Sequence, residues 1–133
     1  MRHTLGKSDL LRGRMRFKEI LESGRKLSGN ILRCAARASR EAESGGSPVI
    51  GVGFTVSSRR VKAVDRNRMR RLMREAYRLN KEMLRTSGTD ESTKLEILFI
   101  YSPPRRSQLQ LPSYQEVEED MKHLLNSLSR LRF

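Results

Sequence analysis

Alternation of apolar and polar residues predicts three β-strands in the first half of the chain. A short strand is expected at residues 26–28, and Gly29-Asn30 separates it from a second strand, over residues 31–39, whose even positions are apolar. The third strand is expected at residues 49–57. Its even positions form one apolar face: Ile50, Val52, Phe54 and Val56. Its odd positions are small or polar: Gly51, Gly53, Thr55 and Ser57. This second face is either a solvent-exposed sheet face or the floor of a groove for an extended chain.

Helical spacing predicts a first helix over residues 14–23, with Gly24 as its left-handed C-cap. A fourth strand is expected at residues 95–101, which are apolar on both faces except for Glu96. Such a strand lies in the interior of a sheet.

A last helix begins at Ser113, because Glu116 stands three residues later and completes a capping box. Its apolar stripe comprises Tyr114, Val117, Met121, Leu124, Leu125, Leu128 and Leu131. We therefore predict an α+β fold in one domain, residues 1–133, with helices packed on a single sheet of about four strands. Residues 1–13 are predicted to form a basic extended arm.

The middle helix, expected at residues 66–85 with Asp65 as N-cap, is amphipathic in an unusual way. Its apolar arc comprises Met69, Leu72, Met73, Ala76, Leu79 and Met83. Its opposite arc comprises Asn67, Arg70, Arg71, Arg74, Arg78, Lys81 and Arg85. Arg66 and Arg68 fall in the first turn, where the helix dipole repels cations, so an anionic partner explains them better than helix stability does.

Charge strengthens this interpretation. Residues 58–85 contain eleven Lys or Arg and three acids, and so carry +8 of the net charge of +13. A basic helix face is often merely solvated, but this one is rich in Arg, has few compensating acids and continues a basic loop. The charge indicates nucleic acid or an anionic membrane surface as partner, and the membrane is the weaker option, since no apolar run approaches about 20 residues.

The remaining chemistry points away from catalysis by this chain. Cys34 is the single cysteine, which excludes an internal disulfide and fits a reducing cytoplasm. His3 and His123 are far apart, and no Cys, His and Asp residues have the spacing of metal ligands. No signal peptide is predicted, because the N-terminal residues have no apolar core.

These motifs resemble the protein subunit of bacterial ribonuclease P, over roughly residues 7–130. The family pattern is a Gly-aromatic-x-Val-Ser strand, a basic loop, Lys-Ala-Val-x-Arg-Asn-Arg and a basic helix. Here the strand motif is residues 53–57, GFTVS, the next motif is residues 62–68, KAVDRNR, and the helix continues as MRRLMREAYR to residue 78.

The resemblance implies the element order α-β-β-β-α-β-α with a left-handed crossover around the basic helix, against the usual rule. It also implies that the RNA subunit catalyses the reaction through bound magnesium ions, without catalytic residues or a cofactor in this chain. The implied partners are ribonuclease P RNA and precursor tRNA, without an obligate protein partner.

Carried over position by position, the resemblance implies two sites and favours the groove interpretation. The surface facing the RNA subunit would comprise Arg59, Arg60, Lys62, Arg66, Asn67, Arg68, Arg70, Arg71, Arg74 and Arg78. The cleft for the 5′ leader would be lined by Phe17, Leu21, Arg33, Ala35, Gly53, Thr55 and Ser57.

Three positions depart from the family pattern. Val61 replaces a loop glycine, which predicts another loop path because β-branched residues disfavour positive φ. Ala35 and Leu21 replace aromatic residues, which predicts weaker stacking of the leader. The rival interpretations are a structural rRNA-binding protein and a DNA-compacting protein, which would need only the charge.

Overall fold

Among the residues that the structure describes, three helices and four strands follow one another in the predicted order. The structure, a computed structural model, describes residues 14–39, 49–57, 61–84, 94–103 and 111–131. Its elements are α1 (Arg14–Ser23), β1 (Arg25–Ser28), β2 (Leu32–Ser39), β3 (Val49–Val56), α2 (Ala63–Asn80) with a 3₁₀ turn (Lys81–Met83), β4 (Lys94–Tyr101) and α3 (Tyr114–Ser129). The predicted arm at residues 1–13, Arg59, Arg60 and Arg85 lie outside the described residues.

The strands form one mixed sheet in the order β1-β2-β4-β3. β2 pairs antiparallel with β1 and β4, whereas β3 pairs parallel with β4. The parallel pair requires a crossover, and α2 supplies it. The left-handed path expected for that connection stays a prediction. β4 is interior, as its two apolar faces predict, and both its faces are covered by helices.

α2 and α3 cover one face of the sheet, and α1 covers the other. The larger core joins the even positions of β2 and β3 to both long helices, and Phe54, Tyr77 and Phe99 meet at its centre, with ring centroids 5.8–6.1 Å apart. The smaller core comprises Ile20, Ala35, Leu98 and Ile100, with Phe17 and Leu21 packed against it. Alternation along β2 explains why neighbours such as Cys34 and Ala35 belong to different cores.

The predicted start of α2 is wrong by a few residues. Lys62, in extended conformation, is the N-cap, and its carbonyl accepts the first helical hydrogen bond from Arg66 N at 2.9 Å. Asp65 is therefore inside the first turn, where a negative charge is favourable near the positive end of the helix dipole. Val61 is buried, and this anchors the chain just before the helix.

The buried arc of α2 also differs from the prediction. Leu79 and Met83, predicted to be on the apolar arc, are 42% and 38% exposed. Tyr77, which was not predicted to be on that arc, is buried against Phe54. The α-helix ends at Asn80, whose side chain donates hydrogen bonds to Ala76 O and to Glu118 Oε2 of α3. The chain thus leaves the helical path earlier than its periodicity indicates.

Candidate nucleic-acid interface

The outer face of α2 presents a row of exposed cations. Arg68, Arg71 and Arg74 are exposed and recur every three residues, so they lie side by side; we call them the arginine stripe. Asn67 and Lys62 are exposed at its N-terminal end. These are five of the predicted RNA-facing residues, and the fold brings them together on one surface.

Val64 lies at the head of the same face and is 77% exposed. Val64 was not among the predicted RNA-facing residues, because an apolar residue next to a basic row is usually assigned to the core. Its position four residues before Arg68 could have revealed it, since residues four apart share a helix face.

Arg66 does not belong to the exposed row, and its predicted role needs correction. Its guanidinium is part-buried and donates to Val61 O at 3.0 Å and to Val56 O at 2.9 Å. These hydrogen bonds tie the end of β3 to the start of α2. The side chain of Arg66 therefore points towards the sheet and away from the stripe.

Two other predicted residues are engaged within α2. Arg70 donates to Asn67 Oδ1 at 3.1 Å. Arg78 Nε donates to Glu75 Oε2 at 3.1 Å, and this hydrogen bond and the attraction of the guanidinium lower the pKa of Glu75. The charge of Arg78 is therefore compensated, and the uncompensated part of the row ends at Arg74.

On the opposite face of the sheet, α1 closes part of the predicted cleft. Phe17 packs directly on Gly53, where an added Cβ would lie 2.8 Å from Phe17 Cε1. Ala35 is completely buried in the smaller core under the same helix. Gly53 and Ala35 were predicted to line the cleft, but they form the support on which α1 rests. Their small size lets the helix approach the sheet.

Beyond Phe17 the sheet face stays open and polar. Arg33 and Ser57 are exposed, Thr55 is half-buried, and Arg33 Nη2 donates to Ser102 Oγ at 2.7 Å. The hydroxyl of Ser102 also contacts that of Ser57. We call Arg33, Thr55, Ser57 and Ser102 the polar strip. Ile100 is in register with Arg33 and Thr55 and forms its apolar floor.

Ser102 was not among the predicted residues. Strand alternation could have found it, because it lies two positions after Ile100 and so continues the same face. Phe17 and Leu21 are half-buried and stand at the border of the polar strip. The structure therefore brings five of the seven predicted cleft residues to one open border between α1 and the sheet.

Among the described residues, no group of three or more His, Cys, Asp or Glu side chains is arranged to hold a metal ion. No helix in the described ranges is long and apolar enough to cross a membrane. Cys34 is buried, and desolvation raises the pKa of its thiol to about 12.

Comparisons with known proteins identify the family of this chain. The family model described as Ribonuclease P matches residues 5–129. The ribonuclease P protein component of Chlorobaculum tepidum is 32% identical over 131 residues, which cover 95% of this chain and 83% of that protein. The component of Chlorobium phaeobacteroides is 31% identical over 132 residues, covering 95% and 88%.

Solved structures show the same fold. The RNase P protein of Staphylococcus aureus superposes with a TM-score of 0.66 at 17% identity, covering 91% of this chain and 95% of that one. The RNase P protein of Thermotoga maritima gives a TM-score of 0.64 at 25% identity, covering 92% and 97%. These matches do not support the rRNA-binding and DNA-compacting alternatives. The chain belongs to the ribonuclease P protein family.

Proposed function

We propose that this chain is the protein subunit of ribonuclease P and assists endonucleolytic removal of the 5′ leader from precursor tRNA. Family membership supports the assignment. The observation that carries the proposed mode of action is the arginine stripe, which places three exposed guanidinium groups on one rigid helix. Guanidinium forks suit phosphate oxygens, and they lose little freedom when a helix holds them in a row.

The arginine stripe, with Lys62 and Asn67, is the surface for the ribonuclease P RNA. Its charge is available to a polyanion because Glu75, on the same helix, is paired with Arg78, and Asp65 is half-buried. Binding would release counterions from the RNA, which makes the affinity strongly salt-dependent. Val64 adds an apolar contact at the head of the row, next to the first turn of the helix.

The polar strip, bordered by Phe17 and Leu21, is the surface for the leader of precursor tRNA. Arg33 provides positive charge, the hydroxyl groups of Ser57 and Ser102 can donate to or accept from phosphate and sugar, and Phe17 offers an aromatic face. The polar strip lies on one face of the sheet, and the arginine stripe lies on the outer side of α2, which packs on the other face. Ser57 of the strip and Lys62 beside the stripe are close in sequence. One protein can therefore contact both RNAs at once.

In this proposal catalysis belongs to the RNA subunit, whose bound magnesium ions supply the chemistry. The residues of this chain offset repulsion between two polyanions and hold the leader. The cytoplasm is the proposed location, since a reducing compartment suits a free thiol such as Cys34.

The test is cleavage of precursor tRNA at low magnesium by the protein alone, a bacterial ribonuclease P RNA alone and their mixture. We expect the mature 5′ end to form efficiently only in the mixture. A mixture no better than the RNA alone, with a cognate RNA as well, would contradict the proposal.

A second measurement addresses the polar strip. Thr55→Trp places an indole in the strip and should weaken binding of precursor tRNA to the reconstituted enzyme by about tenfold, the effect of losing ~1.4 kcal/mol. Mature tRNA, which has no leader, serves as the control ligand and should bind as before. Equal losses for both tRNAs would mean that the strip does not hold the leader.

A further inference from the structure

Glu96 is a buried carboxylate that the proposed RNA contacts do not use. It is the third residue of β4, is 2% exposed, and faces α1 rather than the larger core. Among the described residues, its Oε2 is the one buried side-chain nitrogen or oxygen without a hydrogen-bond partner. A carboxylate inside a sheet is costly unless cations compensate it, so its surroundings indicate its role.

Two arginines from different elements converge on Glu96. Arg37, its partner in register on β2, donates from Nε to Glu96 Oε1 at 2.9 Å. Arg16, in the first half of α1, places Nε 3.4 Å from Glu96 Oε2. The carboxylate of Glu96 thus links α1 to β4. Among the described residues, it forms ion pairs with these two arginines only.

Arg37 extends the tie along α1. Its Nη2 lies 3.2 Å from Glu19 Oε2, and its Nη1 donates to Ser23 Oγ at 3.3 Å. Burial alone would lower the pKa of Arg37, but the contacts with Glu96 and then Glu19 outweigh it and raise that pKa. The Glu96 network (Arg16, Glu19, Ser23, Arg37 and Glu96) therefore contacts α1 at three points along its length.

The apolar contacts of α1 are confined to the smaller core. Among the α1 side chains that the structure describes, only Ile20 is completely buried, in the smaller core with Ala35, Leu98 and Ile100. Hydrophobic contact is non-directional, whereas charge-assisted hydrogen bonds fix angle and distance. Buried ion pairs add little net stability but can select one arrangement among several.

We propose that Glu96 is a positioning residue for the leader-binding surface, which it serves by fixing the angle at which α1 lies on the sheet. That angle places Phe17 on Gly53 and Leu21 at the border of the polar strip. The proposal rests on the proposed role of the strip in binding the leader. It assigns to Glu96 no contact with RNA.

The test combines Glu96→Gln with two measurements. Fluorine NMR of protein labelled with 4-fluorophenylalanine reports the position of Phe17, and Phe54 and Phe99 on the other face of the sheet serve as internal references. The ratio of precursor to mature tRNA affinity in the reconstituted enzyme reports the leader. We expect the Phe17 resonance to shift, those of Phe54 and Phe99 to stay, and the ratio to fall by about tenfold.

Glu118→Gln is the matched control, because Glu118 also accepts side-chain hydrogen bonds but lies on α3, away from α1. It should change neither the Phe17 resonance nor the ratio. Arg37→Gln removes the ion pair with Glu96 by changing a half-buried side chain. It should reproduce both effects and keeps the proposal testable if Glu96→Gln does not fold.

The two hypotheses fail in different ways. An unmoved Phe17 resonance in folded Glu96→Gln or Arg37→Gln protein would overturn the positioning role. If the resonance moves but neither these variants nor Phe17→Ala changes the ratio, the leader function of the strip fails while the control of α1 by Glu96 stands.

Discussion

Asp120 shows how a single side chain fixes a turn at a distance in sequence. Its carboxylate accepts hydrogen bonds from the backbone amides of Asn30, Ile31 and Leu32, at 2.8, 2.9 and 2.6 Å. The turn between β1 and β2 is thereby closed by α3. Gly29 is required beside it, because a Cβ there would collide with the carboxylate.

Replacing Asp120 by Asn should destabilise the protein by about 2 kcal/mol, because an amide provides one acceptor oxygen and turns a donor towards backbone donors. The free energy of unfolding in denaturant measures the loss. Glu119→Gln, one residue away and exposed, is the control and should change stability by less than about 0.5 kcal/mol. Equal effects would show that general charge, rather than the three hydrogen bonds, explains the stability.

Arg66 gives a second prediction at this scale. Arg66→Gln should lower the free energy of unfolding by about 1–3 kcal/mol, because the Val56 and Val61 carbonyls lose a charged donor. Arg71→Gln, on the exposed face of the same helix, should leave stability nearly unchanged. A denaturation midpoint that drops equally in both variants would argue against a structural role specific to Arg66.

At the scale of the element, the two faces of α2 differ in chemistry. The buried face packs Met69, Met73 and Tyr77 into the larger core, and the exposed face carries the arginine stripe. Substitutions on the exposed face should therefore affect RNA binding without affecting the fold.

Changing Arg68, Arg71 and Arg74 together to Gln should weaken binding of the ribonuclease P RNA. The slope of log affinity against log salt should become less steep by about 2 units, since fewer counterions are released. The matched control changes Lys18, Lys122 and Arg130, three exposed cations elsewhere, to Gln. A control variant with the same reduction in slope would mean that net charge, rather than the stripe, drives binding.

At the scale of the whole molecule, the carboxylate of Glu118 on α3 links α3 to α2. Asn80 and Tyr114 donate to Glu118 Oε2 at 3.0 and 3.1 Å. The hydrogen bond from Asn80 is the main reason why the pKa of Glu118 lies below its ordinary value of 4.5, and Arg78 has the same effect on Glu75. The folded protein thus binds protons at these sites less readily than the unfolded chain does.

Stability should accordingly be lost in acid. The contribution of Glu75 and Glu118 is fully present above about pH 4.5 and disappears as the pH falls through their lowered native pKa values. Denaturant unfolding between about pH 6 and about pH 3 measures this, and a variant with both residues changed to Gln should lose less stability over that range. An identical acid profile in the double variant would assign the loss to other carboxylates.

The sequence alone determined the elements, their order and the basic character of α2. Period-two and helical patterns are local, so they located all four strands and three helices, and the capping box at Ser113 is present as predicted. The motif from Gly53 to Arg78 was long enough to identify the family. These features depend on residues that are near one another in the chain.

Only the tertiary structure decided which of those residues are free to bind. Arg66 and Arg71 look equivalent in sequence, yet the carbonyls at the end of β3 capture one and leave the other exposed. Ala35 and Gly53 are covered because α1 packs on them. Glu96 links α1 to the sheet because Arg16 and Arg37, from separate elements, both pair with it. Side-chain partners far apart in the sequence set these outcomes, and no local pattern encodes them.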